Sequence, residues 1–235
     1  MKMTPKPEQL LLDLPTRQAF GRDDFLVTSS NAAAVALIDQ WPDWPTHGAI
    51  IVGPAGSGKS HLVEVWRQAS GGAVRSAAAL QIDAVPSLLE NGALAIEDVE
   101  SSQHNERALF HALNLAKQQA GHILLTMQAP PSRLRFAIAD LASRLNALPL
   151  VNILPPDDAL LRGVLVKQFA DRQIHVDEGL ISYILLRMPR SLEAARNLVS
   201  QTDRLALLEK AEVTKPLLAR VLVKIATPDL FTNNF

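Results

Sequence analysis

The chain has 235 residues, enough for one large domain or a domain with a small satellite. Hydrophobic residues make up 48% and charged residues 20%, with a net charge of -1, a balance that excludes a disordered or membrane-embedded chain and gives no global attraction for DNA. Cysteine is absent, which excludes disulfides and thiolate metal sites.

Residues 1–20 read as a tail, with Pro5, Pro7 and Pro15 around a short apolar cluster of Leu10, Leu11, Leu12 and Leu14. No long apolar run follows Met1, so neither a signal peptide nor a membrane helix is expected, and the protein is placed in the cytoplasm. A helix is predicted over 32–40, ending before Pro42 and Pro45, because proline disfavours helical geometry in the residue preceding it. The apolar run 48–52, a glycine-rich turn and a helix over 59–69 form the start of a parallel α/β sheet. Further buried strands are expected at 73–75, 93–96, 123–126 and 150–154, with a helix over 103–119 that carries Leu109, Leu113 and Ala116 on one side.

After Pro155 and Pro156 the strand signals stop. Helices are expected over 157–173, 177–188, 191–208 and 214–225, with Asp157 and Ser191 as N-caps and Glu193 adding negative charge to a first helical turn. Such a switch marks a domain boundary, giving a tail over 1–20, an αβα nucleotide-binding domain over 21–155, a helical lid domain over 156–226 and a second tail over 227–235.

Gly53, Pro54, Ala55, Gly56, Ser57, Gly58, Lys59 and Ser60 fit the Walker A pattern at every fixed position, between a strand and a helix. Glycines let the backbone wrap a polyphosphate, so that N–H groups and the helix N-terminus face the anion; Lys59 reaches the terminal phosphates and Ser60 ligates magnesium. These eight residues and the following His61 are the expected nucleotide contacts. The strand 93–98 ends in Glu97 and Asp98, the candidate Walker B acids, one of which should hold magnesium directly or through water. Glu97 is assigned with Ser60 to the metal and Asp98 to catalysis. The usual order puts aspartate first, and the longer glutamate argues against ordinary hydrolytic competence. Thr126 and Gln128 are candidates to touch a γ-phosphate or position water, the alternative being plain strand caps. No Asn-Lys-x-Asp guanine-reading motif is present, which argues against a GTPase.

The order of these parts, followed by Asp140-Leu141-Ala142-Ser143-Arg144-Leu145 and an all-helical segment, resembles the AAA+ family. Ala129-Pro130-Pro131, the 140–145 stretch and Pro189-Arg190-Ser191-Leu192-Glu193 are similar to the initiator-like branch, in particular to its regulators that inactivate the replication initiator DnaA. The likeness covers nearly the whole chain. It implies an AAA+ P-loop three-layer αβα domain with a parallel sheet, followed by a small all-helical lid domain, and it implies bound ADP or ATP with Mg2+. By resemblance, Arg144 is an arginine finger presented to nucleotide in a neighbouring molecule, and Arg190 is the lid arginine, sensor 2, that folds over the chain's own nucleotide. Gln128, where relatives tend to carry aspartate, and the Glu97-Asp98 order are departures that imply weak intrinsic hydrolysis.

Gln9-Leu10-Leu11-Leu12-Asp13-Leu14 resembles the peptide with which bacterial proteins bind the DNA polymerase III sliding clamp. The contacts implied are Gln9, Leu10, Leu12 and Leu14, an extended peptide inserting apolar side chains into a groove. The chain carries no recognisable DNA-reading domain after the lid, so no direct sequence-specific DNA binding is expected; homo-oligomerisation is left open. Three functions compete: a regulator that stimulates ATP hydrolysis by DnaA, an autonomous AAA+ ATPase such as a helicase loader or remodelling factor, and a small-molecule phosphotransferase.

Overall fold

Five apolar segments become strands: β1 (Gly48–Val52), β2 (Ala73–Ser76), β3 (Ala93–Glu97), β4 (His122–Met127) and β5 (Leu150–Asn152). The computed structural model, which describes residues 26–100 and 105–226, pairs them in parallel in the order β2-β3-β4-β1-β5. A parallel sheet covered on both faces needs strands that are apolar throughout, and all five residues of β1 are buried.

The alternation of side chains divides the core into two layers. Ala49, Ile51, Ala95 and Leu124 pack against α1 (Ala32–Asp39) and α2 (Lys59–Ser70), whose Leu62 and Trp66 are buried there. Trp66 stacks on Trp44 with ring centroids 5.8 Å apart, and Trp44 donates its indole N–H to the Leu37 carbonyl at 2.7 Å. Ile50, Val52, Leu94, Ile96, Ile123 and Leu125 face the other way, toward α3 (Val85–Leu88), α4 (Glu106–Gln118) and α5 (Ala139–Asn146). Each fully buried side chain of this size contributes about 1.5–3 kcal/mol relative to exposure. The result is the three-layer αβα arrangement with a parallel sheet.

Four further helices, α6 (Asp158–Asp171), α7 (Glu178–Leu185), α8 (Leu192–Glu209) and α9 (Lys215–Ala226), surround a separate cluster that includes Leu161, Phe169, Ile184, Leu198 and Leu218. The starts of α6, α7 and α8 are fixed by side-chain caps. Asp157 accepts from the Leu160 N–H at 2.7 Å, Asp177 from Leu180 at 2.7 Å, and Ser191 from Ala194 at 3.0 Å.

The strand at 73–75 is present and runs to Ser76. β5 is shorter than 150–154: Ile153 still donates to the Val52 carbonyl at 2.7 Å, but Leu154 turns away and donates to Ser30 at 2.9 Å. Short helical turns at Ala77–Ala79 and Ile82–Ala84, and helix α5, carry no periodic signal long enough to be read from the sequence. The tail with Gln9, Leu10, Leu12 and Leu14, and residues 227–235, lie outside the described residues. Among the described residues no helix is long and apolar enough to cross a membrane.

Candidate nucleotide-binding site

β1 is flanked by β4 and β5, so the loop that leaves its C-terminal end lies between two other strand ends. Gly53 anchors the loop there, donating its N–H to the Met127 carbonyl at 3.0 Å. Gly56 and Gly58 have φ values of 69° and 103°, in the left-handed region where a side chain is strained. Their lack of a Cβ also makes room for α8, since a Cβ on Gly56 would fall 2.9 Å from the Ser191 Cβ. The first N–H groups of α2, at Lys59 and Ser60, have no backbone acceptor among the described residues, as expected of a helix start.

Lys59 is buried, with its ammonium donating to the carbonyls of Gly53 at 2.7 Å and Pro54 at 3.0 Å. Burial pushes its pKa below the usual lysine value, against the opposing pull of Asp98, Glu100 and Glu97. The Ser57 hydroxyl is buried with no hydrogen-bond partner among the described residues.

At the end of β3 the chain turns through Asp98, whose φ is 55°. Its N–H donates to the hydroxyl of the fully buried Thr126 at 3.2 Å, while the Val99 N–H donates to the Thr126 carbonyl at 3.1 Å. Thr126 therefore holds the acidic turn, which is the strand-cap reading of that residue.

A cleft of about 500 Å³ opens over the loop, lined by Ala55, Gly56, Gly58, Lys59, Ser60, Asp98 and Gln128, and closed on the other side by Glu193, Arg196 and Asn197 of α8. Its volume lies in the range of small-molecule sites. α8 is tied directly to the loop by the Leu192 N–H, which donates to the Gly56 carbonyl at 2.9 Å.

The expected site residues separate into groups. Ala55, Gly56, Gly58, Lys59, Ser60 and Asp98 come together in the cleft, whereas Gly53, Pro54, Ser57 and His61 support the loop without lining it. Glu97 does not line the cleft; it remains in β3, in register with Ser76 of β2, and the next residue is the one that turns inward. Among the described residues there is no cluster of three or more His, Cys, Asp or Glu able to hold a metal by themselves. A magnesium ion shared between Ser60, one acid and phosphate oxygens needs no such cluster, and at the strand end the acid that lines the cleft is Asp98, with Glu193 of α8 on the opposite wall.

Arg144 lies on α5, away from the cleft. Its side chain is 38% exposed, its Nε sits 3.1 Å from Asp140, and its guanidinium lies 5.0 Å from the centre of the Phe110 ring. Arg190 precedes α8 and pairs with Asp158 at 2.8 Å; it does not line the cleft.

The crystal structure of domain III of DnaA from Thermotoga maritima superposes with a TM-score of 0.76 at 18% identity, covering 92% of this chain and 100% of that one. The fold is that of DnaA domain III. A DnaA bound to AMPPCP and single-stranded DNA has a TM-score of 0.63 at 16% identity over 89% of this chain and 82% of that one. AMPPCP-bound DnaA from Aquifex aeolicus has a TM-score of 0.65 at 16% identity, over 83% and 67% of the two chains. In sequence, DnaA from Nautilia profundicola is 26% identical over 125 residues, 52% of this chain, and the match spans only 29% of that protein's length. No family model matches the chain.

Within this fold, the residues of the cleft fit a nucleoside polyphosphate: glycines where a Cβ is excluded, a buried ammonium and unpaired helix-start N–H groups. Sequence reasoning did not find Arg196 and Asn197. Their spacing from Glu193, three and four residues, places all three on one helix face, but which face meets the loop follows only from where Leu192 docks.

Proposed function

We propose that the chain binds an adenine nucleotide on the 53–60 loop and acts as a regulator of replication initiation resembling Hda, the regulatory inactivator of DnaA. In this reading it stimulates ATP hydrolysis by DnaA through Arg144. The supporting observation is the position of that arginine: it sits on an outer helix, braced by Asp140 and Phe110, and takes no part in the chain's own cleft. A guanidinium so placed is available to the polyphosphate of a second molecule, where fingers of this kind accelerate phosphoryl transfer in GTPases by roughly 10³ to 10⁵.

The chain's own ADP or ATP would be held by the loop N–H groups and Lys59, with Ser60 and Asp98 the residues to share Mg2+, whose chemistry is to neutralise phosphate charge. The departures at Gln128 and Glu97 favour nucleotide as a structural switch over nucleotide as fuel, with ADP the expectation from the resemblance. Gln9, Leu10, Leu12 and Leu14 would tether the regulator to the sliding clamp, in the cytoplasm where replication takes place.

The test is the rate of ATP hydrolysis by DnaA with DNA-loaded clamp, on adding wild type or Arg144→Ala. Wild type should accelerate hydrolysis and Arg144→Ala should not, although it retains nucleotide and clamp binding. Strong turnover by the chain alone, unaffected by DnaA, would replace the regulator with an autonomous AAA+ ATPase.

A further inference from the structure

Helix α5, which carries Arg144, has little of its own to hold it in place. It has eight residues, too few for an isolated helix to be stable in water, and it buries only Leu141 and Leu145. Its N-cap residue is Ile138, an aliphatic side chain that cannot accept a hydrogen bond.

The missing acceptor comes from another helix. Glu106, in the first turn of α4, accepts the N–H of Ala137 on Oε1 at 2.9 Å and the N–H of Ile138 on Oε2 at 2.9 Å. Both oxygens of one carboxylate thus hold successive N–H groups at the entry to α5, and hydrogen bonds to a charged acceptor are stronger than neutral ones. α4 does not need Glu106 as its own cap, since Asn105 accepts from the Ala108 N–H at 3.1 Å.

One turn further along α4, the Phe110 ring centre lies 5.0 Å from the Arg144 guanidinium. Residues four apart on a helix share a face, so Glu106 and Phe110 make two contacts from one side of α4, the first at the entry to α5 and the second at the arginine. Before α5, Leu134, Phe136 and Ile138 pack on the core while Arg133, Arg135 and Ala137 are exposed. That alternation sets how deep the chain lies; the two bonds to Glu106 set the rotation at which α5 begins, and with it the direction in which Arg144 leaves the helix. Asp140 also touches Arg144, but it belongs to α5 and turns with it.

We propose, on the footing of the regulatory function given above, that Glu106 is a positioning residue for Arg144: its carboxylate fixes the rotation of α5 and so aims the guanidinium at the nucleotide held by DnaA. Glu106 itself touches no nucleotide in this scheme and acts through α5.

Two measurements on wild type, Glu106→Ala and Glu106→Gln test this: amide hydrogen exchange over 137–146, and ATP hydrolysis by DnaA with DNA-loaded clamp, titrated with each protein. In Glu106→Ala the amides of Ala137 and Ile138 should exchange on the order of tenfold to a hundredfold faster, the range for losing a hydrogen bond to a charged group. The maximal stimulated rate should fall by up to about a hundredfold, the cost of misplacing a reacting group by roughly 1 Å. The concentration giving half-maximal stimulation should stay the same, because docking of the two proteins does not involve Glu106. Glu106→Gln, which keeps one acceptor oxygen, should recover part of both losses. Full stimulation by Glu106→Ala, or unchanged exchange at Ala137 and Ile138, overturns the role of Glu106 and leaves Arg144 as the finger. A loss that appears only as a higher half-maximal concentration, or that follows unfolding in thermal melts, overturns it as well. Absence of stimulation by wild type removes the regulatory function and this role with it.

Discussion

The Leu192 N–H donates to the Gly56 carbonyl at 2.9 Å, so that α8 begins on the phosphate loop. Gly56 has a left-handed φ of 69°, and its missing Cβ is what allows Ser191 to approach. Gly56→Ala should therefore disturb the loop and the start of α8 together, at a cost of about 1–3 kcal/mol. Urea unfolding monitored by circular dichroism measures this, and an unchanged midpoint would show that the contact is slack.

Thr126→Val keeps the shape of a fully buried side chain but removes the acceptor of the Asp98 N–H. A loss of about 1 kcal/mol is expected, together with weaker magnesium dependence of nucleotide affinity, because Asp98 is no longer held in its turn. Equal magnesium dependence in the variant and wild type would mean that Thr126 does not position Asp98.

Lys59 gives the nucleotide-free protein a pH dependence of definite sign. Its folded-state pKa is lowered by burial, so between that value and 10.5 the unfolded chain binds more protons than the folded one. Stability from this group therefore rises with pH across the window, and the penalty for burying the ammonium is fully present below it. Compared with Lys59→Met, wild type should gain stability as pH rises toward 10.5. Parallel profiles of the two proteins in urea unfolding would contradict the burial argument.

The pair of Arg144 with Asp140 is exposed and spans one helical turn, an arrangement worth about 0.3–0.5 kcal/mol. Arg144→Ala should thus leave the unfolding free energy nearly unchanged, while under the proposed regulatory function Phe110→Ala, which removes the ring beneath the guanidinium, should reduce stimulation of DnaA. Thermal melts and hydrolysis assays on the same preparations separate the two effects; full stimulation by Phe110→Ala would show that the ring does not hold the finger.

The phosphate loop was legible in the sequence because its chemistry demands glycine, lysine and a hydroxyl at fixed spacing, and the strand before it and helix after it carry clear periods. Asp157 and Ser191 were legible as caps for the same reason: a short side chain at that point has a defined hydrogen-bonding task. The inward turn at Asp98 was not, since a strand pattern does not say where the backbone enters the left-handed region. Nor was the place of Arg196 and Asn197 in the cleft, since which face of α8 meets the loop follows from the docking of Leu192 on Gly56, a contact between residues 136 positions apart in the chain by their numbering. Helix α5 leaves little periodic signal, because its eight residues, framed by irregular chain, bury only Leu141 and Leu145.

The central claim is that a nucleoside polyphosphate sits on the loop around Lys59. Calorimetric titration of ADP into wild type and Lys59→Ala tests it most directly. Saturable binding to a single site in wild type, absent in Lys59→Ala, is the predicted result; no binding by wild type, or superimposable isotherms for the two proteins, would contradict it.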